Sequence, residues 1–321
     1  MNAWIYNRYG DSKVLEQSDI KSQELKKGQI AVSVKAFSIN PIDWKIMSGQ
    51  LRFLVPQKFP VIPCFDVAGI VEDDNGTHGY KNGDKVFVRL KSNSGGAARK
   101  SVSVDGAVAA KIPENLSFAE AAAMPLAGLT ALQGLRDYGG LDLSGSKARV
   151  LIVGASGGVG HYAVQIARAS GAHVTAVCGS RNVELVSSLG ANEVIDYRKQ
   201  SDFKSSEHIP YDIIFDCVGQ KPLNFDQRFA SVLKKGGVYV TPIPTSDTVL
   251  RKLQFWKSIP IKIYFMKPSQ SDLDLLGDYY RQGKLKTVID SEYAYSDLPA
   301  AFEKSMSGRA VGKIVVSVNI P

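Results

Sequence analysis

Cysteine is scarce: Cys64, Cys178 and Cys217 are the only three in 321 residues. An odd, widely spaced set argues against a disulfide framework and suits a reducing compartment, so a cytoplasmic protein is expected. No apolar run reaches the roughly 18 residues that a membrane span needs. The opening "MNAWIYNRYG" (Met1–Gly10) lacks the apolar core of a signal peptide. Basic side chains outnumber acidic ones, 39 to 31, for a net charge of +8. No dense basic run with interleaved aromatics accompanies that excess, so no nucleic-acid partner is expected. The four histidines, His78, His161, His173 and His208, show no metal-ligand spacing and read as surface or helix-face residues. There is no internal repeat.

What is present suits a globular chain of one large or two ordinary domains. The first third is rich in strand signals. Ile30, Val32 and Val34 alternate with Ala31, Ser33 and Lys35, the period of a half-buried strand. "DVAGIV" (Asp66–Val71) and "DKVFVRL" (Asp84–Leu90) follow, separated by turn-forming residues. The stretch predicts a β-rich, barrel-like unit. At Ser117 the character changes: "SFAE" is a capping box, and Pro125 can start a second helix running to Tyr138.

From there strands and helices alternate. Strands are predicted at Ala148–Val153, Val174–Cys178, Glu193–Tyr197, Ile213–Cys217 and Val238–Thr241. Helices are predicted at Val159–Ala169, Asn182–Leu189 and Phe225–Leu233. That alternation gives an α/β, doubly wound parallel sheet of Rossmann type. "IPIKIYF" (Ile259–Phe265) reads as one more strand, at an edge or across a homodimer. Ser271–Leu285 reads as a helix and Val311–Val318 as a closing strand that returns to the first unit. The expected domains are 1–124 with 268–321, and 125–267.

The glycine cluster carries the first chemistry. "GASGGVG" (Gly154–Gly160) contains A-x-G-x-x-G between a strand and a helix. A pyrophosphate needs close approach to backbone N–H groups at a helix N-terminus, and side chains would block it. Ala155, Ser156, Gly157, Gly158, Val159 and Gly160 are therefore cofactor-binding candidates. At the tip of the second strand, a carboxylate would bind a ribose 2′-OH. Here stand Ser180 and Arg181. A hydroxyl and a guanidinium suit a 2′-phosphate, so NADPH is expected over NADH. Arg198 and Lys199 would add positive potential. Arg181 also has the plain reading of a solvated charge opening a surface helix.

Seven motifs together resemble the zinc-free quinone oxidoreductase branch of the medium-chain dehydrogenase/reductase superfamily. They are "NPIDWKIMSG" (Asn40–Gly49), "PCFDVAGIV" (Pro63–Val71), "GDKVF" (Gly83–Phe87), "PLAGLTAL" (Pro125–Leu132), the glycine turn, "LGANEVIDY" (Leu189–Tyr197) and "GKIVV" (Gly312–Val316). The resemblance implies a GroES-like catalytic domain split around a Rossmann domain. It implies NADPH held by the glycine turn, with Ser180, Arg181 and Tyr197 around the 2′-phosphate, and with Thr130 and Val218 near the cofactor. It also suggests a homodimer.

In zinc-dependent relatives a cysteine occupies the place of Asn40, and a His-Glu pair that of Phe65 and Asp66. Phenylalanine cannot ligate a metal, so zinc-independent chemistry is expected. Without a metal, a quinone or an α,β-unsaturated carbonyl (enal or enone) is the easier acceptor, because its conjugation carries the charge onto oxygen. Asn40, Asp43 and Lys45 are the catalytic candidates: a donor, an orienting group and an oxyanion-stabilising cation. A local surface pair of Asp43 and Lys45 is the plain alternative. An enoyl-thioester reductase and a non-catalytic NADPH-binding sensor remain alternative functions.

Overall fold

The computed structural model describes residues 2–21, 24–91, 95–219, 229–245, 248–249 and 260–318. Two compact units emerge. Met1–Leu129, Pro268–Arg281 and Thr287–Pro321 form the first; Thr130–Lys267 and Gln282–Lys286 form the second. Among the described residues no helix is long and apolar enough to cross a membrane.

The early strands are β1 (Asn2–Ile5), β2 (Glu16–Asp19), β3 (Gln29–Ile39), β4 (Asp66–Asp73), β5 (Lys85–Arg89), β6 (Ser101–Asp105) and β7 (Ala109–Lys111). The second unit holds β8 (Arg149–Val153), β9 (His173–Cys178), β10 (Glu193–Asp196), β11 (Tyr211–Asp216), β12 (Leu233–Thr241) and β13 (Ile261–Ile263). The chain then returns with β14 (Ile289–Ala294) and β15 (Lys313–Ser317). The helices used below are α1 (Pro41–Met47), α2 (Phe118–Ala123), α3 (Pro125–Gln133), α4 (Gly160–Ala169), α5 (Val183–Ser188), α6 (Gln270–Arg281) and α7 (Leu298–Met306).

In the first unit the sheet runs β14-β15-β3-β4-β5-β7, with β6 also on β3. The predicted alternation holds at Ile30 and Val32, then gives way: Val32 through Val34 and Ala36 through Ile39 are all buried. The reason is α2, which packs on β3, β4 and β15 and covers the second face. A strand covered on both faces has no polar period to show. The closing strand returns as expected, antiparallel to β3, with Ile314 opposite Ile39 and Ser317 opposite Ala36. Leu298 and Phe302 of α7 join Val32, Phe37 and Val316 in the core. Each such buried side chain contributes about 1.5–3 kcal/mol.

The capping box at α2 forms in both directions: Glu120 N–H donates to Ser117 Oγ at 3.2 Å, and Ser117 N–H to Glu120 Oε2 at 3.1 Å. The helix predicted from Pro125 to Tyr138 is two pieces. After α3 the chain widens into a π-helical turn, Gly134–Tyr138. A Cβ on Gly134 would stand 2.2 Å from the Tyr264 hydroxyl and 2.4 Å from the Phe215 ring, so glycine permits that packing.

The second unit is a six-stranded sheet in the order β10-β9-β8-β11-β12-β13, every pair parallel. This is the doubly wound order in which the strand sequence reverses between β8 and β11. Ligands bind such sheets at the carboxyl ends beside that reversal. Strand β12 starts at Leu233 rather than Val238: Leu233 pairs with Tyr211, the register shifts over the turn-like Lys234–Gly237 stretch, and pairing with β11 resumes with Val238 opposite Ile213. Of the helix predicted at Phe225–Leu233, residues 225–228 lie outside the described residues; Phe229 and Ala230 are π-helical, a turn follows, and Leu233 already begins β12. Of "IPIKIYF", Ile261–Ile263 form β13, paired with β12 at the sheet edge. Helix α6 stops at Arg281, short of Leu285, and Gly283 turns at φ +67° two residues later.

Candidate functional site

Strand β8 ends at Val153 and its continuation turns at once. Gly154 has φ +79°, a left-handed conformation that favours glycine. A Cβ there would stand 2.6 Å from Cγ2 of Val218, so the half-exposed Val218, just past β11, lies over the start of the turn. Gly160 opens α4, and a Cβ on it would stand 2.1 Å from the Gly154 carbonyl oxygen. Strand end and helix start are thus as close as backbone allows. Above Gly157 the space is open: an added Cβ would meet only Gly154 O, at 3.3 Å.

The turn fits a pyrophosphate. Gly157 N–H donates to Gly154 O, whereas the amides of Gly158 and Val159 have no acceptor among the described residues. Ala155 is buried, its N–H tied to Val177 O at 3.0 Å. Ser156 is held by Asn182, whose Nδ2 donates to its Oγ at 3.0 Å. His161 lies on α4, within the expected surface or helix-face placement, and its helix face is fully buried, with Nδ1 at 3.0 Å from Gly157 O. That contact bonds the imidazole to the turn. Thr130, on α3, is buried, and its carbonyl accepts the Tyr264 hydroxyl.

The tips of β9 and β10 lie side by side, with Asp196 opposite Cys178. Ser180 and Arg181 follow β9 and are exposed; Tyr197, Arg198 and Lys199 follow β10 and are exposed too. The Tyr197 ring packs against Gly179, where a Cβ would sit 3.3 Å from the phenol oxygen. Among the described residues Arg181, Arg198 and Lys199 make no ion pair. A carboxylate absent from the sequence argument also stands here. Ser180 Oγ donates to Asp196 Oδ2 at 2.6 Å. That hydrogen bond, above all, holds the Asp196 carboxyl below its usual range.

The catalytic candidates lie in the first unit, and their side chains part company. Asn40 is buried at the N-cap of α1. Its Nδ2 donates to Asp66 Oδ2 at 2.8 Å, and its Oδ1 accepts the Lys313 ammonium. Asp66 also accepts from Ser38 Oγ at 2.9 Å and from Leu126 N–H at 2.9 Å, and Lys313 Nζ stands 3.8 Å from it. Burial raises the Asp66 carboxyl and lowers the Lys313 ammonium, while their mutual attraction opposes both shifts. Asn40 is therefore committed to a buried ion-pair network.

Asp43 is buried as well. Its Oδ2 accepts Asn40 N–H at 2.7 Å, and its Oδ1 has no partner among the described residues. Desolvation drives its pKa up to about 7. It makes no pair with Lys45, so the local surface pair does not form. Lys45 is half-buried, with its ammonium 5.6 Å from the Trp44 ring centroid. The structure brings Asn40 to Asp43 and leaves Lys45 apart. Lys313 and Asp66 complete the cluster. The sequence signal for Lys313 was a lysine opening the apolar strand "KIVV". Among the described residues no group of three or more His, Cys, Asp or Glu could hold a metal ion.

Residues 26–132 match the family described as alcohol dehydrogenase GroES-like domain, and residues 189–316 match zinc-binding dehydrogenase. The chloroplast envelope quinone oxidoreductase homolog of Arabidopsis thaliana is 39% identical over 98% of both chains. The 2-methylene-furan-3-one reductase of Solanum lycopersicum is 32% identical, over 98% of this chain and 79% of its own. Among solved structures, the quinone oxidoreductase from Coxiella burnetii aligns over 99% of each chain with TM-score 0.86 and 28% identity. The Thermus thermophilus quinone oxidoreductase, solved also in complex with NADPH, aligns over 99% of this chain and 100% of its own with TM-score 0.77 and 25% identity. The first of these names carries the chloroplast envelope, not the cytoplasm.

Proposed function

Because the chain belongs to the quinone oxidoreductase branch of the medium-chain dehydrogenase/reductase superfamily, we propose that it is an NADPH-preferring reductase of quinones or α,β-unsaturated carbonyls. The observation that carries this reading is the pair of features on the second unit. One is a glycine turn with two unspent amides at the start of α4. The other is a set of three cations at the tips of β9 and β10 that make no ion pair among the described residues. Pyrophosphate suits the first and a 2′-phosphate the second. The Thermus relative's complex with NADPH supports the same cofactor class.

When bound, NADPH supplies the hydride. The chain's own residues bind, orient and manage charge. Gly157, Gly158, Val159 and Gly160 form the cradle, and Ser156 is fixed by Asn182. Val218 borders the turn, Tyr197 and Arg181 border the ribose end, and Thr130 and Ala155 brace the approach from buried positions. In the first unit, Asn40 and Asp43 are positioning residues: they hold the start of α1 rigid. Lys45 is the catalytic candidate that makes no ion pair with a carboxylate among the described residues, which suits it to steady a developing enolate or phenolate oxygen.

Zinc-independent chemistry is supported by the donor set. Phe65 offers no ligand, and the oxygens of Asp66 are taken by Ser38, Asn40 and Leu126. The names of the Arabidopsis and Solanum relatives favour quinone and enone acceptors. The test is an NADPH-oxidation screen over quinones, enals, enones, enoyl thioesters and simple ketones. Turnover on quinones, enals or enones, little on ketones, and no loss with a chelator is the expected result. Turnover confined to thioesters, or none with any acceptor, overturns the proposal. A homodimer joined along β13 is a further part of the reading, checked by sedimentation.

A further inference from the structure

A carboxylate sits where the reading above needs positive charge. Asp196 ends β10, and its two oxygens are both used: Oδ2 accepts the Ser180 hydroxyl at 2.6 Å and Oδ1 accepts the Arg198 amide at 3.0 Å. Arg198 and Lys199 follow it in sequence, and the exposed Arg181 follows Ser180 on the neighbouring tip. The site thus carries three cations and one anion. Two consequences follow from elementary chemistry. A serine hydroxyl has a single proton to donate, and here Asp196 holds it. A carboxylate repels a phosphate dianion but accepts a hydrogen bond from a ribose hydroxyl.

We propose that Asp196 is the specificity-determining residue of this strand tip, holding the preference for the 2′-phosphate narrow so that the chain takes both NADPH and NADH. The inference rests on the reading of the tip as the adenosine-ribose site. In that site Arg181, Arg198 and Lys199 attract the phosphate, and Asp196 offsets part of their field. It also withholds the Ser180 proton. Ser180, although a hydroxyl at the right tip, therefore adds little to NADPH binding while Asp196 is charged.

The test uses the intact protein and measures dissociation constants for NADPH and NADH by fluorescence titration without any acceptor. Asp196→Asn keeps an oxygen for the Arg198 amide and presents an NH2 to Ser180 Oγ, which frees the hydroxyl proton. Removing one negative charge beside a dianion in a water-like medium tightens NADPH several-fold, roughly five- to tenfold at most. NADH binding stays level or weakens. Ser180→Ala alone changes NADPH binding by less than about twofold, but in the Asp196→Asn background it loses several-fold, as one hydrogen bond to a charged group should. Asp196→Ser, which lacks the amide, gives the same direction.

An NADPH-to-NADH ratio within twofold of wild type in both Asp196 variants overturns the proposal, as does weaker NADPH binding. Arg181→Asp separates this from the underlying reading. If it weakens NADPH and NADH equally, the ribose-phosphate assignment itself fails, whatever Asp196 does. If it weakens NADPH selectively while the Asp196 variants change nothing, only the present inference fails.

Discussion

Replacing Lys313 by methionine isolates the energetic core of the first unit. The substitution keeps most of the side-chain volume and removes the charge. Asp66 is fully buried, and the Lys313 ammonium 3.8 Å away is its nearest counter-charge. At an effective dielectric near 20, a pair at that separation is worth about 4 kcal/mol. Breaking a buried pair from one side costs about 3–5 kcal/mol, because the remaining charge stays desolvated. Asn40 Oδ1 and Ile39 O also lose a donor. We therefore expect Lys313→Met to lose on the order of 4 kcal/mol at pH 8.

The pH dependence gives the sharper check. Without Lys313, burial of the Asp66 carboxyl is opposed only by its hydrogen bonds and by the more distant Arg89, so its native pKa rises further above its unfolded value. A raised carboxyl contributes stability that is full below the unfolded pKa and is lost as pH rises through the folded one. The variant's deficit should therefore shrink as pH falls from 8 toward 5. Urea unfolding followed by tryptophan fluorescence in a Trp256→Phe background reads the right unit, since the other two of the three tryptophans, Trp4 and Trp44, both lie in it. A deficit under about 1 kcal/mol at pH 8, in the range of exposed pairs, would refute the reasoning. So would a deficit that grows on acidification.

Other outcomes follow from the same geometry. Asp43→Asn should abolish a pH slope: with the native carboxyl near pKa 7, raised by burial, wild type loses stability between about pH 4 and 7. The variant, measured by thermal melts across that window, should lack a loss of about 3–4 kcal/mol. Gly160→Ala puts a Cβ 2.1 Å from the Gly154 carbonyl, so the turn must open. Cofactor affinity, read by titration, should fall at least tenfold, with about 1–3 kcal/mol of stability lost. Lys45→Ala should lower kcat tenfold or more in steady-state assays while leaving NADPH affinity in place, as the loss of an oxyanion donor does.

Much of the second unit was legible because its strands are short apolar runs bounded by glycine. "RVLIV" before the glycine turn and "HVTAVC" after Gly171 need no tertiary information. The capping box of Ser117 and Glu120 is equally local. What stayed hidden depends on distant partners. Asn40 and Lys313 lie 273 positions apart, and no spacing rule joins them. Asn40, Asp43 and Lys45 read as catalytic candidates, or Asp43 and Lys45 as a surface pair, yet the fold buries Asn40 and Asp43 and supplies a lysine from the last strand. Asp196 has no local signal, because the carboxylate of such a site is expected at the tip of β9. The carboxylate comes from β10, which the parallel pairing sets beside it.

The pairing of β15 with β3 has a consequence for how the chain is made. Ile314 opposes Ile39, so the first sheet lacks an inner strand until some 275 further residues have left the ribosome. The second unit's sheet is complete by Ile263. During translation the nucleotide-binding unit can therefore fold first. Meanwhile Ala36, Phe37 and Ile39 wait on an open edge, the kind of surface that invites chaperones or mispairing with another nascent chain.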